Sequence, residues 1–294
     1  MIASESPGFP AALAEMPVEE WTAAITARHS SRTLDGTPVD PALLDRLESF
    51  CTGLPASEVA RVVVIRTLPD GLFTGIVGSY GRVRGAPAAL VFVGAENHPA
   101  VQESVGYLGE AVILEATSLG LATCWVAGFF DRHVAAHLVT LDKGERVLAV
   151  SPLGHAAVRP PARDRLFKRA MRAHGRKPLE ELAPGSDFKM WPAWALKGVG
   201  LARISPSAVN RQPWRFAFEP GAVVVWTTES GPESGISRRL DCGIAMLHFE
   251  VGARSLGAAG RWESLEAPRV ARFKLDSLVE RASAPADPLG TTGS

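Results

Sequence analysis

The chain has 294 residues, with 31 basic and 31 acidic side chains, so its formal net charge is zero. A balanced charge argues against a nucleic-acid-binding protein, which needs a basic excess to meet phosphates. Hydrophobic residues make up 46% of the chain and charged residues 21%, which excludes a disordered polymer and leaves a globular protein of one large domain or two halves.

Residues 1–16 are rich in Pro, Ala, Ser and Glu and read as a flexible tail. They carry Glu5 before any apolar run and have no basic start, so a signal peptide is not expected. Residues 18–28 read as a helix, with Trp21, Ala24, Ile25 and Arg28 at helical spacing. Asp40 followed by Pro41 predicts a capped second helix through Leu43, Leu44 and Leu47. The β-branched run at 61–66 and the apolar run at 88–93 predict strands. Residues 105–119 predict a long buried helix that Gly120 ends, followed by short strands at 123–126 and 147–152. The apolar window 111–130 holds one charge, Glu115, and is broken by glycines and hydroxyl residues. A buried helix running into a strand explains it better than a membrane span.

Residues 156–187 change character, with Arg159, Arg163, Arg165, Lys168, Arg169, Arg172, Arg176 and Lys177, and read as a solvated basic connector. The pattern then restarts. Residues 191–203 predict a helix, 216–218 and 223–226 a hairpin around Pro220-Gly221, 240–256 a long apolar helix ended by Gly257 and Gly260, and 270–275 a last strand. Residues 283–294 form a second small-residue tail. Residues 105–125 echo residues 243–262: long helix, glycine turn, tryptophan. The echo hints at two related halves sharing one core.

Most familiar chemical signatures are absent. No GxGxxG follows a strand, and there is no P-loop or GxSxG elbow. His133 and His137 are four apart but lack the glutamate of a metalloprotease. Cys51, Cys124 and Cys242 form no CxxC pair, so neither a disulfide framework nor a zinc knuckle is expected, and a cytoplasmic location is the natural reading.

Four segments remain. Arg28-His29-Ser30-Ser31-Arg32 places two guanidiniums and two hydroxyls at a helix end, which suits a phosphate monoester; the bland alternative is a set of cations answering the helix dipole. Ser205-Pro206-Ser207-Ala208-Val209-Asn210-Arg211-Gln212-Pro213-Trp214 is dense in polar groups that need partners, and a capped turn explains Asn210 and Gln212 poorly. Residues 120–129 offer small residues, Ala127 and Gly128 among them, that would let a backbone approach a planar ring, or simply pack tightly. Arg176-Lys177-Pro178-Leu179 ends the basic connector.

Together these residues resemble the FMN-dependent nitroreductases, over residues 18–275. The resemblance rests on Arg28 to Arg32, on Pro206-Ser207-x-x-Asn210-x-Gln212-Pro213-Trp214, on Leu119 to Trp125, on Gly154-His155 and on Arg176 to Leu179. In that family the Pro-Ser-x-x-Asn segment follows closely on the Arg-x-Ser helix. Here the early slot, Leu54-Pro55-Ala56-Ser57-Glu58-Val59, has lost Asn, Gln and Trp, and the intact copy lies in the second half. The chain thus looks like the long, two-half subfamily, in which one chain does the work of a dimer.

The resemblance implies an α+β nitroreductase-like fold, with a mixed, mostly antiparallel sheet flanked by helices. Its expected parts are a first half at 17–185, including the connector, and a second half at 186–282. It implies an FMN-dependent NAD(P)H oxidoreductase that passes hydride through flavin N5 to a small nitroaromatic- or quinone-like acceptor, with no side chain as catalyst. Arg28, His29, Ser30 and Arg32 would hold the phosphate and ribityl chain, and Arg176 and Lys177 would close over the phosphate. Ser207, Asn210 and Gln212 would contact the ring or ribityl from the second half. The backbone of Ala127 and Gly128 would lie near N5, and Arg82 would serve the flavin's polar edge. Ala127 stands where many relatives carry an acid, so the usual redox tuning is altered. No metal, nucleic acid or membrane is expected, and the chain would act as a pseudo-dimeric monomer or a weak homodimer. Two rivals are a flavin-sequestering protein, with the connector or residues 188–194 as lid, and a scaffold that has lost FMN.

Overall fold

The computed structural model describes residues 9, 13, 15–55, 58–73, 83–158, 175–228 and 235–278. The C-terminal tail, Arg82 and most of the basic connector lie outside them. In chain order the first elements are α1 (Val18–Ala27), α2 (Pro41–Gly53), β1 (Ala60–Ile65), β2 (Ala88–Ala95), α3 (Val101–Ser118), β3 (Ala122–Thr123), α4 (Arg132–His137) and β4 (Glu145–Gly154). There follow α5 (Leu179–Leu182), a 3₁₀ turn (Phe188–Met190), α6 (Ala193–Arg203) and a second 3₁₀ turn (Ala208–Asn210). The last are β5 (Trp214–Glu219), β6 (Ala222–Thr227), α7 (Arg238–Ser255), β7 (Ala258–Ser264) and β8 (Arg269–Leu278).

The strands form two four-stranded antiparallel sheets, ordered β1-β2-β4-β3 and β5-β6-β8-β7. The order is the same in each: a hairpin, a long helix, then two strands of which the last inserts beside the second. The echo between the halves is therefore a repeat of topology, and α3 and α7 are equivalent elements. Both helices are apolar nearly all round, as buried helices must be, and pack on one another at the centre of the molecule.

Local chemistry accounts for the boundaries. Asp40 caps α2 by accepting from the Ala42 N–H at 2.9 Å, with Pro41 in the first turn. The hairpin β5–β6 pairs Glu219 with Ala222 around Pro220-Gly221, as expected. The long helix α3 begins at Val101, four residues before the expected start at Val105. Strand β7 was not expected. Gly260 reads as a helix stop, yet a Cβ there would lie 2.4 Å from the Lys274 carbonyl oxygen. The glycine admits close strand approach at a bulge between Ala259 and Gly260 rather than a turn. Phe9 and Leu13, expected within a loose tail, are anchored: Leu13 is buried in the core and Phe9 stacks edge-on against Tyr107 at 5.2 Å. No helix among the described residues is long and apolar enough to cross a membrane.

The two central helices meet backbone to backbone. A Cβ on Gly243 would lie 2.0 Å from the Glu103 carbonyl oxygen, and one on Gly106 would lie 2.1 Å from that of Leu240. The contact is reciprocal about the crossing. Gly243→Ala is expected to cost about 1–3 kcal/mol or more, since neither backbone can retreat without opening the core. Gly200→Ala, on α6 with nothing within 4 Å of its new methyl, is expected to gain about 0.5–1 kcal/mol from helix propensity. Thermal melts of the two variants check the pair, and equal melting temperatures would contradict the crossing.

Candidate functional site

The first arm of the site leaves α1. After Ala27 the chain runs as an added edge to the first sheet. The Ser31 N–H donates to the Thr123 carbonyl, that of Arg84 to Arg32 and that of Leu34 to Arg84, each at 2.9 Å. Ser30 pairs in parallel with Thr123 of β3. These bonds fix Ser30 and Arg32 beside the loop that follows β3. That loop is tied to β4 by paired Val126–Val150 backbone bonds of 2.9 Å.

Ser30, Arg32, Trp125, Ala127 and Gly128 line one side of a cleft that is partly open to solvent. The opposite side comes from the second half, through Pro206, Ser207, Val209, Ile236 and Asp241. The walls are mostly apolar, with a few polar groups at fixed places, as a small-molecule site requires. Among the described residues, neither Ala127 nor Gly128 donates its backbone N–H to a protein acceptor.

Beside the cleft lies a buried charge network. The Arg28 side chain is 6% exposed and its Nε lies 3.6 Å from Glu110 Oε1 on α3. Glu110 also accepts from Trp125 Nε1 at 2.6 Å and lies 2.9 Å from His248 Nε2 on α7. Arg28 Nε and Nη1 are nevertheless buried without a hydrogen-bond acceptor. Arg176 lies near enough to repel Arg28. Burial first, then the Arg28 and Arg203 guanidiniums, lower the Arg176 guanidinium to about 10. Arg176 donates to the Ser205 and Ile204 carbonyls at 2.5 and 2.9 Å and to Asn210 Oδ1 at 3.2 Å. Like charges held together under cover, with donors left over, are the mark of a site built for an anion.

The second arm, residues 205–214, is strained and tightly held. Val209, Asn210 and Gln212 sit at φ of 48°, 57° and 48°, a region that costs about 1–3 kcal/mol for most side chains and most for a β-branched one. Asp241, 2% exposed on α7, accepts from the Ala208 N–H at 3.0 Å and from Arg211 Nε at 2.7 Å. Ser207 Oγ accepts from the Gln212 N–H at 3.0 Å.

The expected residues separate into groups. Ser30, Arg32, Ala127, Gly128 and Ser207 share the cleft, and Arg28 and Arg176 form the cationic pair behind it. Asn210 and Gln212 do not line the cleft. Their amides bind the 175–177 segment instead: Asn210 Nδ2 donates to the Gly175 carbonyl at 3.0 Å, and Gln212 Oε1 accepts from the Lys177 N–H at 2.9 Å. The polar density of this stretch is thus satisfied within the protein, and these two amides position Arg176. The Lys177 ammonium pairs with Glu181 at 2.6 Å. His29 is exposed, with Nδ1 3.5 Å from the Ala27 carbonyl. The lid assigned to residues 188–194 is not one: Trp191 and Trp194 are buried against Phe218, and Trp194 also against Phe249 and Phe273. Sequence reasoning missed Asp241, Glu110 and His248. Glu110 and His248 lie inside apolar helical runs, and a charged residue at such a position is the signal that could have found them.

A family model described as "Putative TM nitroreductase" matches residues 20–253. The chain belongs to this nitroreductase family. A Thermotoga maritima structure described in the same terms is 19% identical, with a TM-score of 0.59 over 87% of this chain and 94% of that one, which shows the shared fold. A nitroreductase family protein from Clostridium difficile is 18% identical, covering 57% of this chain and 98% of its own, at a TM-score of 0.40. A Bacteroides fragilis nitroreductase with bound FMN is 19% identical, covering 50% and 92%, at 0.38. No curated protein matches the chain.

In this nitroreductase-family chain, Asp241 holds the strained arm against α7. Asp241→Ala removes the carboxylate that accepts from Ala208 and Arg211, both charge-assisted bonds, and is expected to cost about 2–4 kcal/mol. Hydrogen exchange should speed up at the amides of 207–212 before the sheets respond. Unchanged protection there would show that the arm is held by something else.

Proposed function

We propose that the protein is an FMN-dependent NAD(P)H oxidoreductase that reduces a small nitroaromatic- or quinone-like acceptor, with one composite flavin site per chain. The carrying observation is the buried Arg28 guanidinium, with its Nε and Nη1 unpartnered and the part-buried Arg176 near it, beside a cleft that unites Ser30 and Arg32 with Ser207. Those orphaned donors fit a terminal phosphate, because guanidinium forks match phosphate oxygens and an anion would relieve the repulsion between the two arginines. The apolar cleft walls fit a planar ring system.

On this reading Arg28 and Arg176 hold the phosphate, Ser30 and Ser207 the ribityl chain, and Arg32 the polar edge of the ring. When bound, FMN supplies hydride transfer through its N5. The chain's own work is orientation and exclusion. The 125–129 backbone would offer the Ala127 and Gly128 amides to a flavin held in the cleft, with no acidic side chain among residues 125–129. Val209, Ile236 and Ile244 keep water from the ring face. Glu110 holds both Arg28 and the Trp125 indole, so one carboxylate sets the phosphate anchor and the cleft wall. Residues 17–185 supply one arm and 186–282 the other, in the manner of two subunits. The site lies within one chain, so catalysis needs no second copy, and a cytoplasmic location supplies the reduced nucleotide.

Arg28→Ala is expected to lower FMN affinity about ten- to a hundredfold, the worth of a charge-assisted hydrogen bond of about 1.5–3 kcal/mol. Flavin released by heat should run as FMN, near one per chain. A variant that purifies with full yellow colour would defeat the assignment, as would FAD as the released species. Steady NAD(P)H oxidation by the wild type separates turnover from flavin sequestration.

A further inference from the structure

A second concavity adjoins the cleft and shares Ala127, Ile236 and Leu240 with it. These shared residues form the boundary between the two. Their chemistry differs. The cleft is largely apolar, whereas the side chamber is lined by Gln102, Arg132, Arg146 and Ser237, and none of its lining residues is a carboxylate.

The two guanidiniums come from different elements and are brought together by the fold. Arg132 opens α4 and lies over the Phe130 ring, with its carbon 5.1 Å from the centroid, while its Nη1 is 3.4 Å from the Val147 carbonyl. That carbonyl belongs to the residue after Arg146 on β4. Among the described residues Arg132 has no carboxylate partner, and Arg146 has Glu96 at 3.2 Å, with both side chains about half exposed. An exposed pair of that kind contributes about 0–1 kcal/mol and exchanges readily for another anion. The chamber is also distinct from the phosphate site, since neither Arg28 nor Arg176 lines it.

We infer that the chamber is a recognition subsite for a negatively charged group, carboxylate or phosphate, carried by the reactant that docks in the cleft against Ala127 and Gly128. The inference rests on the flavin reading of the cleft, because that reading places the reactant there. Two arginines that line one chamber offer guanidinium donors to an anion, while the lining residues shared with the cleft would let the rest of the molecule lie there. The anion has two sources: the phosphates of the nicotinamide nucleotide, with the 2′-phosphate separating its two forms, or a carboxylate on the acceptor.

Equilibrium titration of the full-length protein, without turnover, tests the subsite with two matched pairs: 4-nitrobenzoate against 4-nitrobenzyl alcohol, and NADP⁺ against NAD⁺. The wild type should bind the more anionic member of one pair about tenfold or more tightly, as one charge-assisted contact provides. The pair that discriminates names the source. Arg132→Gln together with Arg146→Gln should bring that ratio to within about twofold and leave the affinity for the less charged ligand unchanged. A wild type without preference in either pair, or a double variant that keeps the preference, overturns the subsite. Flavin content is read separately from the absorption spectrum. A yellow wild type without preference, or a yellow double variant that keeps it, therefore sinks the subsite alone, and a colourless wild type that still prefers the anion sinks the cofactor reading alone.

Discussion

Two helices can touch along their backbones only where neither carries a Cβ, and α3 and α7 meet that condition at Gly106 and Gly243. Everything else in the molecule is arranged around this crossing. Each sheet packs its strands against one of the helices, and each helix is covered on nearly every face. A helix in that position cannot send a polar side chain to water, so whatever charge it carries must be met from within. Glu103 of α3 is met by Arg239 of α7 through two hydrogen bonds, one from Nε at 2.9 Å. Glu250 of α7 is met by Tyr107 of α3 at 2.6 Å, by Trp262 at 2.9 Å and by Arg254 at 2.8 Å. Burial pushes the Glu250 carboxyl up and its partners pull it back. Pairs of this kind are poor evidence of net stability, but removing one partner leaves a stranded charge and costs about 3–5 kcal/mol. They therefore fix the register of the two halves more than they strengthen it.

The same crossing delivers the site. Glu110 lies on α3 seven residues beyond Glu103 and faces α7, where His248 meets it. Its remaining capacity is taken up by Trp125 and by Arg28, so a residue buried in the centre of the molecule orients two groups at the cleft. From the other side, Asp241 near the start of α7 restrains the strained arm that carries Ser207, and Asn210 and Gln212 pass that restraint to Gly175, Arg176 and Lys177. Arg28 and Arg176 thus approach one another because two separate networks hold them, each anchored on a different central helix. Neither would stay near the other on electrostatic grounds alone.

How much of this was legible in the sequence follows from what each feature depends on. The two long helices, the Pro220-Gly221 hairpin and the Asp40 cap were readable because local chemistry decides them. Strand β7 was not, since Gly260 is small for a contact with Lys274 that no local window contains. The short helix α4 was not, since six residues beginning at Asp131's cap give no period to count. At the site, Ser30, Arg32 and Ser207 were found from residue type and motif, and they do share one cleft. The protein partners of Asn210, Gln212 and Lys177 were not legible, for one reason. A dense polar stretch shows that partners exist but not which, and here the 175–177 segment, Ser207 and Glu181 fill that need before any ligand does.

Fusing two equivalent halves also changes what each half must keep. In an assembly of identical subunits every substitution appears at both sites, so a phosphate anchor and a loop that completes the partner's site must coexist in one sequence. In a single chain the constraint is lifted. The first half keeps Arg28, Ser30 and Arg32 while its own slot reads Pro55-Ala56-Ser57 without the amides, and the second half keeps Ser207, Asn210 and Gln212 without an arginine helix end. The central pair shows the same divergence under an unchanged contact. The glycines remain because backbone approach demands them, but the carboxylates around them differ: α3 carries Glu103, Glu110 and Glu115, and α7 carries Asp241 and Glu250. Each set answers a local need, with Glu110 oriented toward Arg28 and Asp241 toward the strained arm. Topology has been held by packing, which tolerates no added methyl at the crossing. Chemistry has been free to become asymmetric, as the unlike walls that the two halves give to the cleft show.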